Sequence, residues 1–155
     1  LCVVTVFSLL TLLLIIAQID QQTMEIPNGL VIACIVPAAM AVFAFPDVTL
    51  TERLIGFFSV SLPLFAITLA VPGAFGGGDI KLMSVSGLLI GGASMICAMC
   101  IGIITGGAYV TLMLVRKRLN KTDQFAFGPF LAFGLATAIF LGDKMAVWYL
   151  QFGAV

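Results

Sequence analysis

Two aspartates are the residues best placed to do chemistry. Asp79 follows three glycines in Gly76-Gly77-Gly78-Asp79-Ile80-Lys81-Leu82, and Asp20 closes the first long apolar run. Ionisable groups at membrane depth are costly to keep and usually functional. Two carboxylates held close together do not both ionise cheaply, so they share a proton. The ionised one can then take a proton from water while the protonated one donates to a substrate carbonyl. That is general acid–base hydrolysis of an amide without a covalent intermediate. A purely structural role stands beside it, in which each Asp caps a helix at the membrane surface. Asp79 suits the N-cap of a helix that begins at Ile80. Asp20 suits capping poorly, because an anion at the C-terminal end of a helix opposes the macrodipole.

The rest of the chemical inventory is short. The chain has no histidine, which rules out Ser-His and Cys-His nucleophilic sites and an HExxH zinc site. A hydrolase built from it must use carboxylates. Cys97 and Cys100 have CxxC spacing. A tetrahedral zinc site needs a second pair of ligands, so the pair reads as two small apolar residues on a helix. No metal and no cofactor are expected. Formal net charge is zero, so there is no basic patch for nucleic acid.

The elements that must position the aspartates are membrane spans. The chain has 155 residues, 62% hydrophobic and 9% charged, with a mean hydropathy of +1.24. A soluble domain is nearer half apolar and a quarter charged. The fold class is therefore all-α and polytopic, a single domain over 1–155 with room for about six spans of roughly 17–25 residues. Span one is 2–19, too long and apolar for a signal peptide and read as retained. Span two is about 29–45, after Ile26-Pro27-Asn28, and span three about 54–71. Residues 80–115 carry Lys81 as their one charge. As one helix they would be about 54 Å long, well beyond a ~30 Å hydrocarbon core, so they must turn back near Gly91-Gly92. The last span is about 125–142. The tail 145–155 is too short to cross, and its Trp148 and Tyr149 suit the interface. Gly102 and Gly106 form a GxxxG that signals close helix packing. Pro37 and Pro63 read as kinks.

Arg116, Lys117, Arg118 and Lys121 follow span five, so the positive-inside rule makes that loop cytoplasmic. Counting back puts Asp20 and Asp79 on the same, cytoplasmic face. Arg53 and Lys144 fall on the other. The glycine run is expected to be unwound backbone, which membrane depth tolerates where it lines a watery cavity or is buried in protein. Phe127-Gly128-Pro129 opens the last span, where Pro in a first helical turn is ordinary.

Together these residues resemble the type IV prepilin peptidases, bacterial members of the GxGD aspartic proteases. Asp20 with Ile26-Pro27-Asn28 is similar to the family's first element, and Gly76 to Leu82 to its Gly-x-Gly-Asp-x-Lys-Leu element. Ala126-Phe127-Gly128-Pro129-Phe130-Leu131-Ala132 is similar to its third. The resemblance implies a six-span inner-membrane protein whose two aspartates meet at the cytoplasmic face. It implies cleavage of the short basic leader of prepilins and pseudopilins, just before their hydrophobic helix. The catalytic roles fall on Asp20 and Asp79. Gly76 and Gly78 match the loop glycines, and Lys81 the family's lysine, a cation that could stabilise ionised Asp79. Pro27, Asn28, Gly128 and Pro129 match motif positions without an assigned role. Larger members carry an N-terminal methyltransferase domain with two CxxC pairs. This chain is expected to be the peptidase-only kind, or a piece of a larger member without that domain. After Asp20 it has Gln21-Gln22-Thr23, where charged residues are frequent in the family.

Two other readings use the same residues. A small transporter or channel subunit would break a helix at Gly76–Gly78 and use Asp79 as an ion or proton ligand. The sequence shows no inverted repeat to support it. A presenilin-like peptidase would share the aspartate pair, but Ile26-Pro27-Asn28 and the third element favour the prepilin branch.

Overall fold

The structure is a computed structural model that describes residues 1–71, 75–116 and 125–152, with 142–152 as backbone only. Its elements are α1 (Cys2–Thr23), α2 (Asn28–Ala33), α3 (Ile35–Ala44), α4 (Leu50–Ala70), α5 (Gly77–Ile90), α6 (Gly92–Val115) and α7 (Gly128–Phe152). The protein is all-helical across the described residues. The break between α2 and α3 is slight, since Cys34 itself keeps helical angles of φ −66° and ψ −17°. It falls where Pro37 has no N–H to give to the carbonyl of Ala33. With α2 and α3 taken as one, six helical rods are described.

Helices α1, α4 and α6 are long and apolar enough to cross a membrane, while Asn28–Ala44 and Gly128–Leu141 are shorter apolar helices. The turn expected near Gly91-Gly92 is there. Gly91 takes φ +80°, a conformation glycine adopts freely, and α6 begins at the next residue. The turn divides the long apolar stretch unequally, leaving α5 with 14 residues. Three boundaries differ from expectation. Helix α1 runs past Asp20 to Thr23, because Met24 in the left-handed region closes it with an N–H to the carbonyl of Asp20 at 2.8 Å. Helix α4 starts at Leu50 rather than near 54, because Thr49 and Glu52 form a capping box. The tail is not a separate segment, since α7 continues to Phe152. The side chains of Lys144, Trp148 and Tyr149, and the basic residues 117, 118 and 121, lie outside the described residues.

The helices bury large aliphatic side chains between them and turn others outward. Leu9, Leu13, Ile16, Leu82, Met83, Leu131 and Leu135 are fully buried, while Val3, Phe7, Leu14, Phe43, Leu69 and Ile104 face outward. Helix α4 lies against α5 at Gly56 and Gly87, where a Cβ on either would strike the other's carbonyl. Without a hydrophobic drive between helices in lipid, such backbone contact is what holds them. The expected GxxxG packing is also present, with Gly102 against Leu131 on α7 and Gly106 against Phe127 just before it.

Arg53 is the feature that the sequence did not reveal. It lies at the end of the bundle away from the aspartates and is buried there, at 2% exposure. Its guanidinium donates to the carbonyls of Ala41 at 2.9 Å and Phe45 at 2.7 Å, and to those of Leu88 at 2.8 Å and Leu89 at 3.4 Å. Those carbonyls lie at the C-terminal ends of α3 and α5, where the macrodipole favours a cation, and those of Ala41 and Phe45 also accept the backbone N–H groups of Phe45 and Val48. One residue of α4 thus fastens the C-terminal ends of two helices. Replacing Arg53 by Met is expected to cost about 2–4 kcal/mol, since hydrogen bonds to charged groups contribute about 1.5–3 kcal/mol and the bared carbonyls add to the loss. Arg53→Lys should recover only part, because an ammonium lacks the planar fork. Reversible unfolding in mixed micelles measures both, and unchanged midpoints would refute the account.

Candidate active site

Asp20 and Asp79 reach the same end of the molecule along different rods. Asp20 lies in the last turn of α1, and Asp79 is the third residue of α5. Both side chains are buried, at 5% and 7% exposure. They lie within electrostatic reach of each other. The topology drawn from span counting, with both aspartates on one face, is the arrangement found.

The two carboxylates are each held by the N-terminus of a helix. One oxygen of Asp20, Oδ2, accepts the backbone N–H of Gly128 at 2.8 Å. Gly128 is the first residue of α7, so Asp20 opposes the dipole of its own helix but complements that of another. A Cβ at Gly128 would lie 2.6 Å from that same oxygen and 2.9 Å from Asp20 Cγ, so the contact requires glycine. Asp79 Oδ2 accepts the N–H of Gly76, the N-cap residue of α5, at 3.3 Å. This is half of a capping box, and glycine has no side chain to supply the other half. Asp79 is thus at N3, not the N-cap expected for a helix starting at Ile80. Its second oxygen, Oδ1, is buried and has no hydrogen-bond partner among the described residues.

The glycines differ from the unwound loop expected of them. Gly77 and Gly78 are already helical, and Gly76 has an extended φ of −70° and ψ of 142°. What Gly78 provides is closeness: a Cβ there would sit 2.6 Å from Ile26 Cβ. Gly76 and Gly77 are exposed, and nothing among the described residues lies within 4 Å of where a Cβ would stand on Gly77. The backbone beside Asp79 is therefore open on one side and tightly packed on the other.

Lys81 also differs from expectation. Its Nζ donates to Asn28 Oδ1 at 2.9 Å instead of meeting Asp79. Residues two apart on a helix do not share a face. The lysine thereby joins the first turn of α5 to the start of α2, in a bond on the surface of the molecule. Pro27 is the N-cap residue of α2, and Pro129 follows Gly128 in the first turn of α7. Phe127 meets Phe75, just before the glycine run, with ring centroids 5.6 Å apart. Cys97 and Cys100 are free thiols on α6.

The profile of the type IV leader peptidase family matches residues 7–111, two thirds of the chain. The chain belongs to this family. The matched segment contains both aspartates, Ile26-Pro27-Asn28 and the glycine run, and ends before Phe127. Two relatives carry the printed description prepilin leader peptidase/N-methyltransferase. The one from Bacillus subtilis is 30% identical over 142 residues, covering 92% of this chain and 57% of that protein. The one from Burkholderia pseudomallei is 28% identical over 153 residues, covering 95% of this chain and 48% of that protein. The chain spans about half the length of these relatives. No solved structure matches it significantly. Family and apolar helices together make it a membrane-embedded, multi-pass protein.

Gly128 was visible in the sequence only as part of a motif, because what it contributes is a backbone N–H and a missing side chain. Its packing gives a clear contrast with Gly77. Gly128→Ala is expected to destabilise the protein by about 1–3 kcal/mol, the range for forcing an extra methyl into a packed site, whereas Gly77→Ala should leave stability within about 0.5 kcal/mol. Thermal unfolding in detergent compares them, and equal shifts would count against the Asp20–Gly128 contact.

Proposed function

We propose that this chain is a membrane aspartic endopeptidase that removes the leader of type IV prepilins or pseudopilins by two-aspartate activation of water. The observation that carries the reading is the pairing itself. Two buried carboxylates from distant parts of the chain converge at one end of the bundle, each tied through one oxygen to a helix N-terminus. Asp79 Oδ1 remains free among the described residues to meet water or substrate. Family membership supports the reaction class, and the relatives' printed names support the substrate.

In the proposed reaction one carboxyl is protonated and the other ionised. The ionised one takes a proton from a water molecule as the water oxygen bonds to the scissile carbonyl carbon. The protonated one gives its proton to the carbonyl oxygen, forming a gem-diol. Collapse of the diol breaks the C–N bond: the departing amine takes a proton from the carboxyl that the water had protonated, and a diol hydroxyl gives its proton back to the other carboxylate, which leaves a carboxylic acid product and restores the pair. The open backbone at Gly76 and Gly77 offers an extended substrate a path beside Asp79. The site lies at the end of α6 from which the basic cluster 116–121 follows, which supports cleavage at the cytoplasmic face of the inner membrane. A basic leader would meet Asp20, Asp79 and the exposed Glu25 there.

Two tests follow. Asp20→Asn and Asp79→Asn should each lower cleavage of a co-expressed prepilin at least a hundredfold while the protein stays folded, since general acid–base groups contribute about 10²–10⁴-fold. Full activity in either variant sinks the mechanism. Reversing the basic charges of the leader should weaken processing, and unchanged processing removes the electrostatic part of the reading.

A further inference from the structure

One groove of about 750 Å³ lies beside the site and takes no part in the chemistry described above. Its walls come from the end of α1, from α6 and from the start of α7. Met24, Tyr109, Phe125, Phe130 and Phe133 give it a mostly apolar, aromatic lining. Its volume lies within the ~300–1,000 Å³ typical of small-ligand sites. Two of its residues are chain neighbours of the site: Gln21 follows Asp20, and Pro129 follows Gly128.

The aromatic rings run on from the groove to the second carboxylate. Tyr109 and Phe130 stand 5.2 Å apart, Phe130 and Phe125 6.3 Å, Phe125 and Phe127 6.1 Å, and Phe127 and Phe75 5.6 Å. Phe75 precedes Gly76, whose N–H is on Asp79. Gly106 admits this row, for a Cβ there would lie 2.9 Å from Phe127 and 3.3 Å from Phe130. A wall of rings thus begins in the groove and ends at the residue before the glycine run, passing the partner of Asp20 on the way.

We infer that this groove is the subsite for the first apolar side chains on the helix side of the scissile bond, with Tyr109, Phe130 and Phe133 setting the preference for their size. The inference rests on the peptidase reading. A substrate of the proposed kind is basic on one side of the cut and apolar on the other. The basic side would leave its charges unpaired among rings and has carboxylates to meet elsewhere. The apolar side gains by leaving water for such a lining, and the continuity of the wall with both aspartates fixes where it lies. A lipid acyl chain is the competing occupant.

The test uses the full chain in nanodiscs and two synthetic peptides. Each has a basic leader and an apolar segment, with Leu or Ala in the two positions on the helix side of the cut. Tyr109 and Phe133 are 41% and 57% exposed, so trimming them spares the core. Wild type should prefer the Leu peptide in kcat/KM. In Tyr109→Ala and Phe133→Ala that preference should fall by about tenfold, the effect of a few methylene contacts in a binding pocket, and the loss should appear in KM rather than kcat. Tyr109→Leu should be intermediate, and it also serves if the alanine variants melt early. Phe43→Ala, at 80% exposure on the opposite end, should keep the wild-type preference. Equal losses on both peptides, or a loss confined to kcat, overturn the inference. So does a preference that stays fixed while activity comes to depend on acyl-chain length, which assigns the groove to lipid. A wild type that cleaves neither peptide overturns the peptidase reading, and the subsite with it. Cleavage with an unaltered preference in the variants overturns the subsite alone.

Discussion

The structure depends on how two buried carboxylates are kept in place by backbone N–H groups. Desolvating an unpaired carboxylate costs several kcal/mol. Here the offset comes from helix N-termini, since Asp20 is bonded to the first N–H of α7 and Asp79 to the N-cap N–H of α5. A charge-assisted hydrogen bond contributes about 1.5–3 kcal/mol, and a favourable dipole up to about 2 kcal/mol. The scale is sufficient to hold each acid in place. It does so without consuming both oxygens of Asp79, because a backbone N–H engages one oxygen where a bidentate arginine would engage two. Fixed position with a free oxygen is what water activation asks of a carboxyl group.

The opposite end of the molecule solves the complementary problem by the same physics. There the groups to be satisfied are carbonyls at helix C-terminal ends, and a buried arginine collects them. Helix α5 belongs to both ends: its N-terminus carries Asp79, and its C-terminus is held by Arg53. With Gly87 pressed against Gly56, this short rod is fixed to α4 along its length. Asp20 arrives by another route, through α1 onto α7, and α7 packs most extensively on α6. The pair of aspartates therefore bridges two helical subassemblies, one built on α4 and α5 and the other on α6 and α7.

Much of this was legible in the sequence, and the parts that were not share a cause. The spans, the turn at Gly91 and the common face of the two aspartates follow from hydropathy and length alone. Asp20 and Asp79 are visible because a charge in an apolar chain is conspicuous. Arg53 is equally conspicuous, but its burial is not legible, since its partners are main-chain carbonyls and leave no trace in residue types. Gly128 was hidden for the same reason, as a donor that every residue but proline possesses. The capping box of Thr49 and Glu52 was present as a pattern and went unused, because the apolar run alone set the boundary of α4. Lys81 was paired with the nearest acid in sequence, and helical geometry sends it to Asn28 instead.

The three sequence motifs make sense once their contacts are set side by side. The first meets the second twice, through Asn28 on Lys81 and Ile26 on Gly78. It meets the third through Asp20 on Gly128. The second meets the third through Phe75 on Phe127. Each motif thus touches the other two, and each contact uses a residue type that its geometry restricts. Gly78 and Gly128 leave space that a methyl would fill, the rings of Phe75 and Phe127 meet at a tilt with centroids 5.6 Å apart, and Lys81 reaches an amide across two helices. The spacing between motifs measures only the spans that carry them out and back. What fixes their composition is that three chain segments, far apart in sequence, must close on one pair of carboxylates without crowding the oxygen left free.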